Sequence, residues 1–297
     1  MATLRELKGR IGSVASSEKI TGAMKMISSA KMHKSEGMLR RLKPYRECVR
    51  TIIASLLSSD APVSSPLTTP RQHVKRVAIV VLGSDDGLCG AYNVNIFKGL
   101  LSHIAELRQL HGESVYIDIY AVGKKMVKAV SKIAGSDSHL KVVEGLDVDS
   151  RSDGEIVKIF GAELTERFLS EEIDCVELVF MHWLTLGRQR LGCDTFLPVS
   201  PEELTNGAKH AGTKPYLFEP DAATLFATVL PMHLLAQLQG AFVENRASEQ
   251  AARVMAMQSA NDNAQKLLEQ LQLEYNKLRQ QGITNELLDI VGGQARD

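Results

Sequence analysis

The feature that most constrains this chain is a pair of apolar stripes with helical spacing, one near each end. Intervals of three and four residues dominate both stripes, which places their members on one face of a helix. Globular helices average about three turns, and each stripe is several times longer. A small domain cannot bury a stripe of this length, so each needs another long helix beside it. The simplest solution is that the two terminal helices bury each other in an antiparallel coiled coil.

The N-terminal stripe consists of Leu4, Leu7, Ile11, Val14, Ile20, Met24, Ile27, Ala30, Met38, Leu42, Tyr45, Val49, Ile52 and Leu56. The C-terminal stripe consists of Leu225, Val229, Met232, Leu235, Leu238, Phe242, Ala251, Val254, Met257, Ala260, Ala264, Leu267, Leu271, Leu278, Ile283, Leu287 and Ile290. The phase slips between Val14 and Ile20, so we predict that the first heptad repeat is not strict. At about 1.5 Å per residue the helices span roughly 80 and 100 Å. This geometry predicts that Met1 lies near Lys277 and that the chain beyond Leu278 is a single helix.

Local signals support both long helices. Thr3 and Glu6 have the spacing of a capping box, in which each side chain satisfies the other residue's backbone N–H. Asp221 is a plausible N-cap for the second helix. Pro44 and Pro231 lie inside the stripes, and because the pattern resumes after each proline, we predict bends rather than ends.

Between the stripes, residues 75–200 alternate strand and helix signals. The predicted strands are Val77–Leu82, Val115–Val122, Leu140–Val143, Val176–His182 and Thr195–Val199, and the predicted helices are Asn93–His111, Lys124–Ile133 and Asp153–Ser170. Strands joined by crossover helices favour a mostly parallel sheet. We therefore predict an α/β fold in which a Rossmann-like domain (75–200) is inserted into a coiled-coil shaft (1–58 and 221–297). Residues 59–74 and 201–220 are predicted linkers, the first a mobile surface loop rich in Ser and Pro.

A glycine-rich loop follows the first predicted strand and raises the question of nucleotide binding. Gly83, Gly87 and Gly90 match neither G-x-G-x-x-G nor the P-loop, and the loop has no phosphate-binding lysine. Asp85 and Asp86 would repel a phosphate that approached the helix N-terminus. We interpret the glycines as requirements of a tight turn, with no bound cofactor and no catalytic residue.

Composition excludes several other classes of protein. Lysine plus arginine equals aspartate plus glutamate, at 35 each, so no global charge indicates a nucleic-acid partner. The longest apolar runs are too short to cross a bilayer, and the charged start MATLRELKGR does not resemble a secretory signal. Four scattered cysteines indicate free thiols. The eight histidines show no metal-ligand spacing, so no metal site is predicted.

Five segments, in this order along the chain, resemble the gamma subunit of F-type ATP synthases. They are KITGAMKMISSAKMHKS (19–35), SDDGLCGAYNVN (84–95), YLFEPD (216–221), VENRASEQAARVMAMQSANDNA (243–264) and LEYNKLRQQGITNELLDIVGG (273–293). The resemblance implies a non-catalytic rotor shaft inside a hexamer of alpha and beta subunits. The inserted domain would stand with the epsilon subunit on a ring of c subunits. Proton flow through the ring would turn the shaft and drive ATP synthesis.

The resemblance also implies contact residues and a location. Met24, flanked by Lys19 and Lys25, matches the position where the shaft of this family meets an acidic beta-subunit loop; alternatively, Met24 fills a gap in the coiled-coil seam. Arg279 and Gln280 match a pair that hydrogen-bonds a beta-subunit loop, although a solvated polar pair would give the same pattern. The expected location is the cytoplasmic face of a bacterial inner membrane, with the membrane reached only through the complex.

Three further residues of the predicted single-helix end, Thr284, Glu286 and Asp289, are also contact candidates. The chain departs from the family pattern at Asp86, where arginine is usual, at Gly282, where alanine is commoner, and at Gln294. A glycine inside a helix costs about 1 kcal/mol relative to alanine.

Two rival functions remain at this point. The first is a nucleotide-binding α/β enzyme whose helical arms form a dimer. The second is a scaffold whose basic first helix grips nucleic acid, and it is disfavoured by the acidic residues on the partner helix, which include Glu244, Glu249, Asp262, Glu269 and Glu274.

Overall fold

The computed structural model describes residues 3–59, 63–135, 137–145, 147–205 and 217–294, without the side chains of Ala134, Glu203 and residues 289–294. Met1 and Tyr216, and the side chains of Asp289 and Ile290, are therefore outside the described residues. The chain divides into two compact units. One unit comprises residues 1–29 and 253–297, and the other comprises residues 30–252. Each unit is considered by itself.

Six α-helices and five strands are assigned within the described residues. The helices are α1 (Leu4–Leu57), α2 (Tyr92–His111), α3 (Lys124–Ala134), α4 (Gly154–Leu169), α5 (Pro201–Thr205) and α6 (Ala222–Gln294). The strands are β1 (Arg76–Leu82), β2 (Tyr116–Val122), β3 (Leu140–Val142), β4 (Cys175–Thr185) and β5 (Arg188–Leu197). Helices α1 and α6 continue through Pro44 and Pro231, which confirms that neither proline ends its helix.

The five strands of the second unit form one sheet in the order β3-β2-β1-β4-β5. All neighbouring pairs are parallel except β4 with β5, which form an antiparallel hairpin. The sequence prediction of a mostly parallel sheet is thus confirmed. The last strand begins at Arg188 rather than at the predicted Thr195. Its N-terminal half lies at the sheet edge and carries charged residues, so its sequence lacks the apolar alternation that marks a half-buried strand.

Each face of the sheet is covered by helices, as its alternating side chains require. One face packs Val77, Ile79 and Val81 of β1 against α2 and α3. The opposite face packs Ala78, Val80 and Leu82 against α4 and against apolar residues from the adjoining ends of α1 and α6. In the second unit, the two long helices are therefore part of the domain core.

The seam of α1 is a strict heptad, contrary to the sequence prediction. From Leu7 onward, the positions of this heptad are all buried or half-buried, and they comprise Leu7, Ile11, Val14, Glu18, Thr21, Lys25, Ser28, Met32, Ser35, Leu39, Leu42, Arg46, Val49, Ile53 and Leu56. Six predicted seam residues are exposed instead: Leu4, Ile20, Ile27, Ala30, Tyr45 and Ile52. The error arose because small or charged residues occupy seam positions in the middle of the helix, where the apolar pattern was followed to neighbouring isoleucines.

The first unit contains an antiparallel helix pair. The Asn261 amide of α6 donates to the Glu18 carbonyl of α1 at 2.8 Å, and a Cβ at Gly22 would lie 3.3 Å from the same amide. On the α6 side the inward positions run to Leu271, which is buried, and Leu278, which is half-buried. From Arg279 to Leu288 the side chains are exposed apart from the half-buried Gly282. This burial pattern agrees with the expected single-helix end.

The middle of α6 is buried on almost every side, because residues 238–251 lie within the core of the second unit. Predicted stripe residues Met232 and Leu267, on either side of this stretch, are exposed instead. By length and composition alone, α6 includes an 18-residue window apolar enough to cross a membrane. Half of that window is buried inside the protein, as is typical of a core helix.

The first predicted linker is partly packed rather than a mobile loop. A short 3₁₀ helix (Pro66–Thr68) starts with Ser65, whose hydroxyl accepts a hydrogen bond from the Leu67 N–H. The Leu67 side chain is buried, and its carbonyl accepts from the Val199 N–H at 2.8 Å. In the second predicted linker, residues 206–216 lie outside the described residues.

Candidate functional site

The glycine-rich loop after β1 is held closed by its own side chains. The Ser84 hydroxyl donates to the Asp86 carbonyl at 2.8 Å, and the Asn93 amide donates to the Ser84 hydroxyl at 2.8 Å. A Cβ at Gly83 would lie 2.7 Å from the Cβ of Met126, so the backbone approach there requires glycine. Gly90 has a φ of 60°, which glycine adopts without strain. These observations support the tight-turn interpretation.

Both loop carboxylates are engaged within the domain. Asp85 accepts from the Lys124 backbone N–H at 3.0 Å, at the first residue of α3, and from the Ser150 hydroxyl at 2.7 Å. Burial raises the pKa of Asp85, but these hydrogen bonds outweigh it and the net pKa is lowered. Asp86 forms a 2.7 Å ion pair with Arg151, both side chains being mostly exposed. An ionised carboxylate therefore occupies the α3 N-terminus, where an anionic ligand would otherwise be attracted.

The crevice that binds ligands in doubly wound sheets is filled by the protein itself. Such ligands sit beyond the carboxyl ends of the strands, where the connections turn in opposite directions. Here that point lies between β1, which continues through α2 to β2, and β4, which is reached through α4. The Asn245 amide of α6 donates to the Gly83 carbonyl at 3.0 Å, and the Ser248 hydroxyl donates to the Met181 carbonyl at 3.1 Å. Helix α6 thus occupies the place that a nucleotide would need.

A second buried contact joins α6 to α2 at the same edge. The Tyr92 hydroxyl lies 2.8 Å from the Asn245 carbonyl and 2.7 Å from the Asn245 side-chain oxygen. Tyr92, Asn245 and Ser248 are all buried. This cluster was not predicted from the sequence, since nothing in the local pattern around Asn245 indicates a partner more than 150 residues away.

Close to this contact, His182 of β4 bridges two carboxylates from different elements. Its Nδ1 lies 3.0 Å from Glu244 of α6, and its Nε2 lies 3.2 Å from Asp194 of β5. The hydrogen bonds to Asp194 and Glu244 raise the pKa of His182 to about 9, against the opposing effect of burial. Glu244 also lies 3.5 Å from Arg46 of α1. The protonated imidazole therefore joins β4 to β5 and α6 through ion pairs and does not act as a general base.

A cavity of about 710 Å³ opens beside Asp194 and Glu244 in the second unit. Its lining mixes cations and carboxylates, including Arg46, Arg50, Glu47 and Asp194. Burial, followed by the nearby charges of Arg50 and Arg46, lowers the pKa of the lining His233 to about 4. With charges of both signs on its walls, the cavity has no single preference for an anion or a cation.

No group of three or more His, Cys, Asp or Glu side chains is placed to hold a metal ion in the part of the chain that the structure describes. All four cysteines are free thiols, as the sequence predicted.

The predicted contact residues fall into two patches of the first unit. Arg279, Gln280, Thr284 and Glu286 are exposed on the unpaired end of α6, whereas Met24 and Lys25 are half-buried on α1. Because Glu18 pairs with Asn261, the antiparallel register puts Met24 about 24 residues, or roughly 36 Å, from Arg279. We name these the α6 contact patch and the α1 contact patch.

Both patches also contain exposed apolar residues that were not predicted as contact residues. Ile20 and Ile27 are 59% and 56% exposed, and Met26 beside them is 68% exposed. On α6, Ile283, Leu287 and Leu288 are similarly exposed. A strict count by sevens along α1 would have placed Ile20 and Ile27 outside the seam. Large apolar side chains at these densities on one helix are typical of a protein–protein interface.

Comparison with known proteins identifies the family. The sequence model of the ATP synthase family matches residues 3–295. A protein named ATP synthase gamma chain from Bacteroides fragilis is 42% identical over 296 residues, covering 99% of both chains. One with the same name from Chromobacterium violaceum is 35% identical over 299 residues, again covering 99% of both.

Among solved structures, the fold is similar to a chain of the rotor of the Euglena gracilis mitochondrial ATP synthase, with a TM-score of 0.61 and 18% identity. The match covers 94% of this chain and 98% of the Euglena chain. A chain of the central stalk and c-ring structure from Tetrahymena thermophila gives a TM-score of 0.52 at 18% identity, covering 81% of this chain and 99% of the other.

A full-length match, a coiled coil formed by the chain termini and a Rossmann-like domain whose crevice is filled by its own helix lead to one conclusion. The chain belongs to the ATP synthase gamma chain family, the non-catalytic subunit that forms the central rotor shaft of the enzyme.

Proposed function

We propose that this chain couples proton flow through a membrane ring of c subunits to ATP synthesis or hydrolysis in a hexamer of alpha and beta subunits. Its coiled coil, residues 1–58 and 221–297, is the shaft inside the hexamer. The inserted domain, residues 75–200, stands with an epsilon subunit on the ring, and 59–74 and 201–220 are linkers. Gamma chains belong to a membrane-associated complex. We place this one at the cytoplasmic face of a bacterial inner membrane.

The observation that carries the proposal is the burial pattern of the first unit. Side chains of α6 are paired with α1 up to the level of Leu271 and Leu278 and are exposed beyond it. An exposed helix end with three large apolar residues is costly in water, so a surrounding partner is required to cover it. The end is also asymmetric about the helix pair, because only α6 extends. An asymmetric axle presents a different surface to each of three surrounding sites, and it can bias them differently.

Within this proposal, the two patches contact beta subunits. In the α6 contact patch, Arg279 can donate several hydrogen bonds and Gln280 can donate and accept, which suits a polar loop. In the α1 contact patch, Lys25 is half-buried at the edge of the seam, and its long side chain can carry a positive charge outward beside Met24 and the exposed isoleucines. This arrangement suits a loop that combines acidic and apolar residues.

The α6 contact patch is tested in the assembled, purified complex by the double substitution Arg279→Ala and Gln280→Ala. We expect ATP hydrolysis to fall about tenfold, the effect of losing roughly 1.4 kcal/mol of hydrogen bonding at the contact. The melting temperature of the variant chain should equal that of the wild type, since both side chains are exposed. Gln265→Ala, at an exposed α6 position outside both patches, is the matched control. Wild-type turnover by the double variant would contradict the assignment of the α6 contact patch.

A further inference from the structure

Four of five consecutive residues of α6 bind the carboxyl edge of the sheet in the second unit. Glu244 contacts His182 at 3.0 Å, and Asn245 contacts Gly83 and Tyr92. In addition, the Arg246 guanidinium donates to the Ser152 carbonyl at 2.8 Å, and Ser248 donates to the Met181 carbonyl. We name this segment, Glu244–Ser248, the α6 collar.

The contacts of the collar leave the helix in three directions. An α-helix turns by about 100° per residue, so Glu244 and Ser248 point the same way to within about 40°, while Asn245 and Arg246 point about 100° and 200° away. The partners agree with this geometry. Glu244 and Ser248 both reach β4, at His182 and Met181, whereas Asn245 reaches Gly83 after β1 and Tyr92 of α2, and Arg246 reaches the loop before α4. A helix that is held from three sides cannot roll about its own axis.

Small side chains bring the collar close to the sheet. Ala247 and Ala251 are fully buried, and Asn245 and Ser248 are buried with them. A buried polar group that loses its partner pays the full cost of desolvation, so rolling the helix would break several such bonds together. The collar therefore has one favourable rotational setting relative to the domain.

We propose that Asn245 is a positioning residue for rotary coupling, which locks α6 against rotation relative to the α/β domain so that torque passes between them. The inference rests on the proposed function, because only a rotor needs such a lock. Asn245 is the central member of the collar since its side chain binds the end of β1 and also the Tyr92 hydroxyl of α2. Its hydrogen bonds are to the Gly83 carbonyl and the Tyr92 hydroxyl, which are not reacting groups, so its effect is mechanical.

The experiment uses the assembled complex in membrane vesicles and compares ATP-driven proton pumping with ATP hydrolysis. Asn245→Leu keeps the approximate size of the side chain and removes its hydrogen bonds. We expect hydrolysis to persist while the ratio of pumping to hydrolysis falls to about half of the wild-type ratio or less, because the shaft then slips under load. A role in folding alone would lower both rates together, through fewer assembled complexes, and would leave the ratio unchanged.

Matched variants control for side-chain chemistry. Asn263→Leu makes the same change at an exposed position of α6 and should keep the wild-type ratio. Tyr92→Phe removes only the hydroxyl that binds Asn245, and Tyr116→Phe makes that change at an exposed position of β2. We expect a lowered ratio for Tyr92→Phe and the wild-type ratio for Tyr116→Phe.

The outcomes separate this inference from the proposed function. If the wild-type complex hydrolyses ATP without pumping, the proposed function fails whatever the variants do. If the wild type pumps but Asn245→Leu pumps with the wild-type ratio, the lock is wrong while the rotor stands. If Asn245→Leu does not assemble, Tyr92→Phe decides, and an unchanged ratio there overturns the inference.

Discussion

At the scale of single residues, His182 shows how the domain and the shaft helices of the second unit are joined by charge. It lies between Asp194 and Glu244, and Glu244 also meets Arg46. The three contacts connect β4, β5, α6 and α1. Because the His182 side chain is only 18% exposed, solvent screens these interactions less than it screens surface ion pairs.

The raised pKa of His182 predicts a pH-dependent stability. Its folded pKa of about 9 lies above the value of 6.5 for an unperturbed histidine. The contribution of His182 to the free energy of unfolding is therefore complete below about pH 6.5 and is lost as the pH rises through about 9. We expect the free energy of unfolding of the wild type to exceed that of His182→Gln by about 2 kcal/mol near pH 6, after allowance for partial exposure. Thermal unfolding of both proteins from pH 6 to 10 measures this difference. A gap that is constant with pH would show that His182 is not charged in the folded state.

Residues that work through local contacts were predictable, and those that work at long range were not. The capping box forms as expected, with the Thr3 N–H 2.8 Å from the Glu6 carboxylate and the Glu6 N–H 3.3 Å from the Thr3 hydroxyl. Asp221 accepts from the Thr224 N–H at 2.9 Å, as an N-cap should. By contrast, the roles of His182 and Asn245 depend on which distant elements the fold brings to them, and a single sequence carries no signal of that.

At the scale of elements, the seam of α1 explains both a success and an error of the sequence interpretation. The long stripes correctly predicted two helices that bury each other. The same stripes misplaced Ile20 and Ile27, because Thr21, Ser28 and Ser35 fill every seventh seam position in the middle of the helix. Small residues at a seam let two helices approach closely, and the large apolar residues beside them are left for other partners. In a helix that also contacts other subunits, apolar residues alone therefore do not identify the face that is buried within the chain.

Two leucines, each within ten residues of a chain end, illustrate the difference between a seam position and a position exposed for a partner. Leu7 is fully buried, whereas Leu288 is 64% exposed. We expect Leu7→Ala to cost about 2–4 kcal/mol of local stability through the cavity it leaves, and Leu288→Ala to cost less than about 0.5 kcal/mol. Hydrogen exchange of the full chain tests this, since only Leu7→Ala should speed exchange over the first turns of α1. Equal exchange in the two variants would mean that the first unit is not paired as described.

At the scale of the whole molecule, function is divided between the two units. The second unit holds the sheet, the filled crevice and the α6 collar, through which the α/β domain binds its own long helices. The first unit offers the two contact patches, roughly 36 Å apart along the helix pair. The resemblance of five segments between residues 19 and 293 predicted the family, and the full-length comparison confirmed it. The contact residues remain predictions.

The claim on which the whole account depends is that the α6 end turns inside its partners during catalysis. In the assembled complex, a cysteine at position 279 (Arg279→Cys) can be crosslinked to a cysteine on the facing beta subunit. The exposed thiols Cys48 and Cys193 are first replaced by serine so that no other linkage forms. The same complex with the crosslink reduced serves as the control.

We predict that forming this crosslink stops ATP turnover and that reducing it restores turnover. Full turnover with the crosslink formed would contradict rotation of the α6 end.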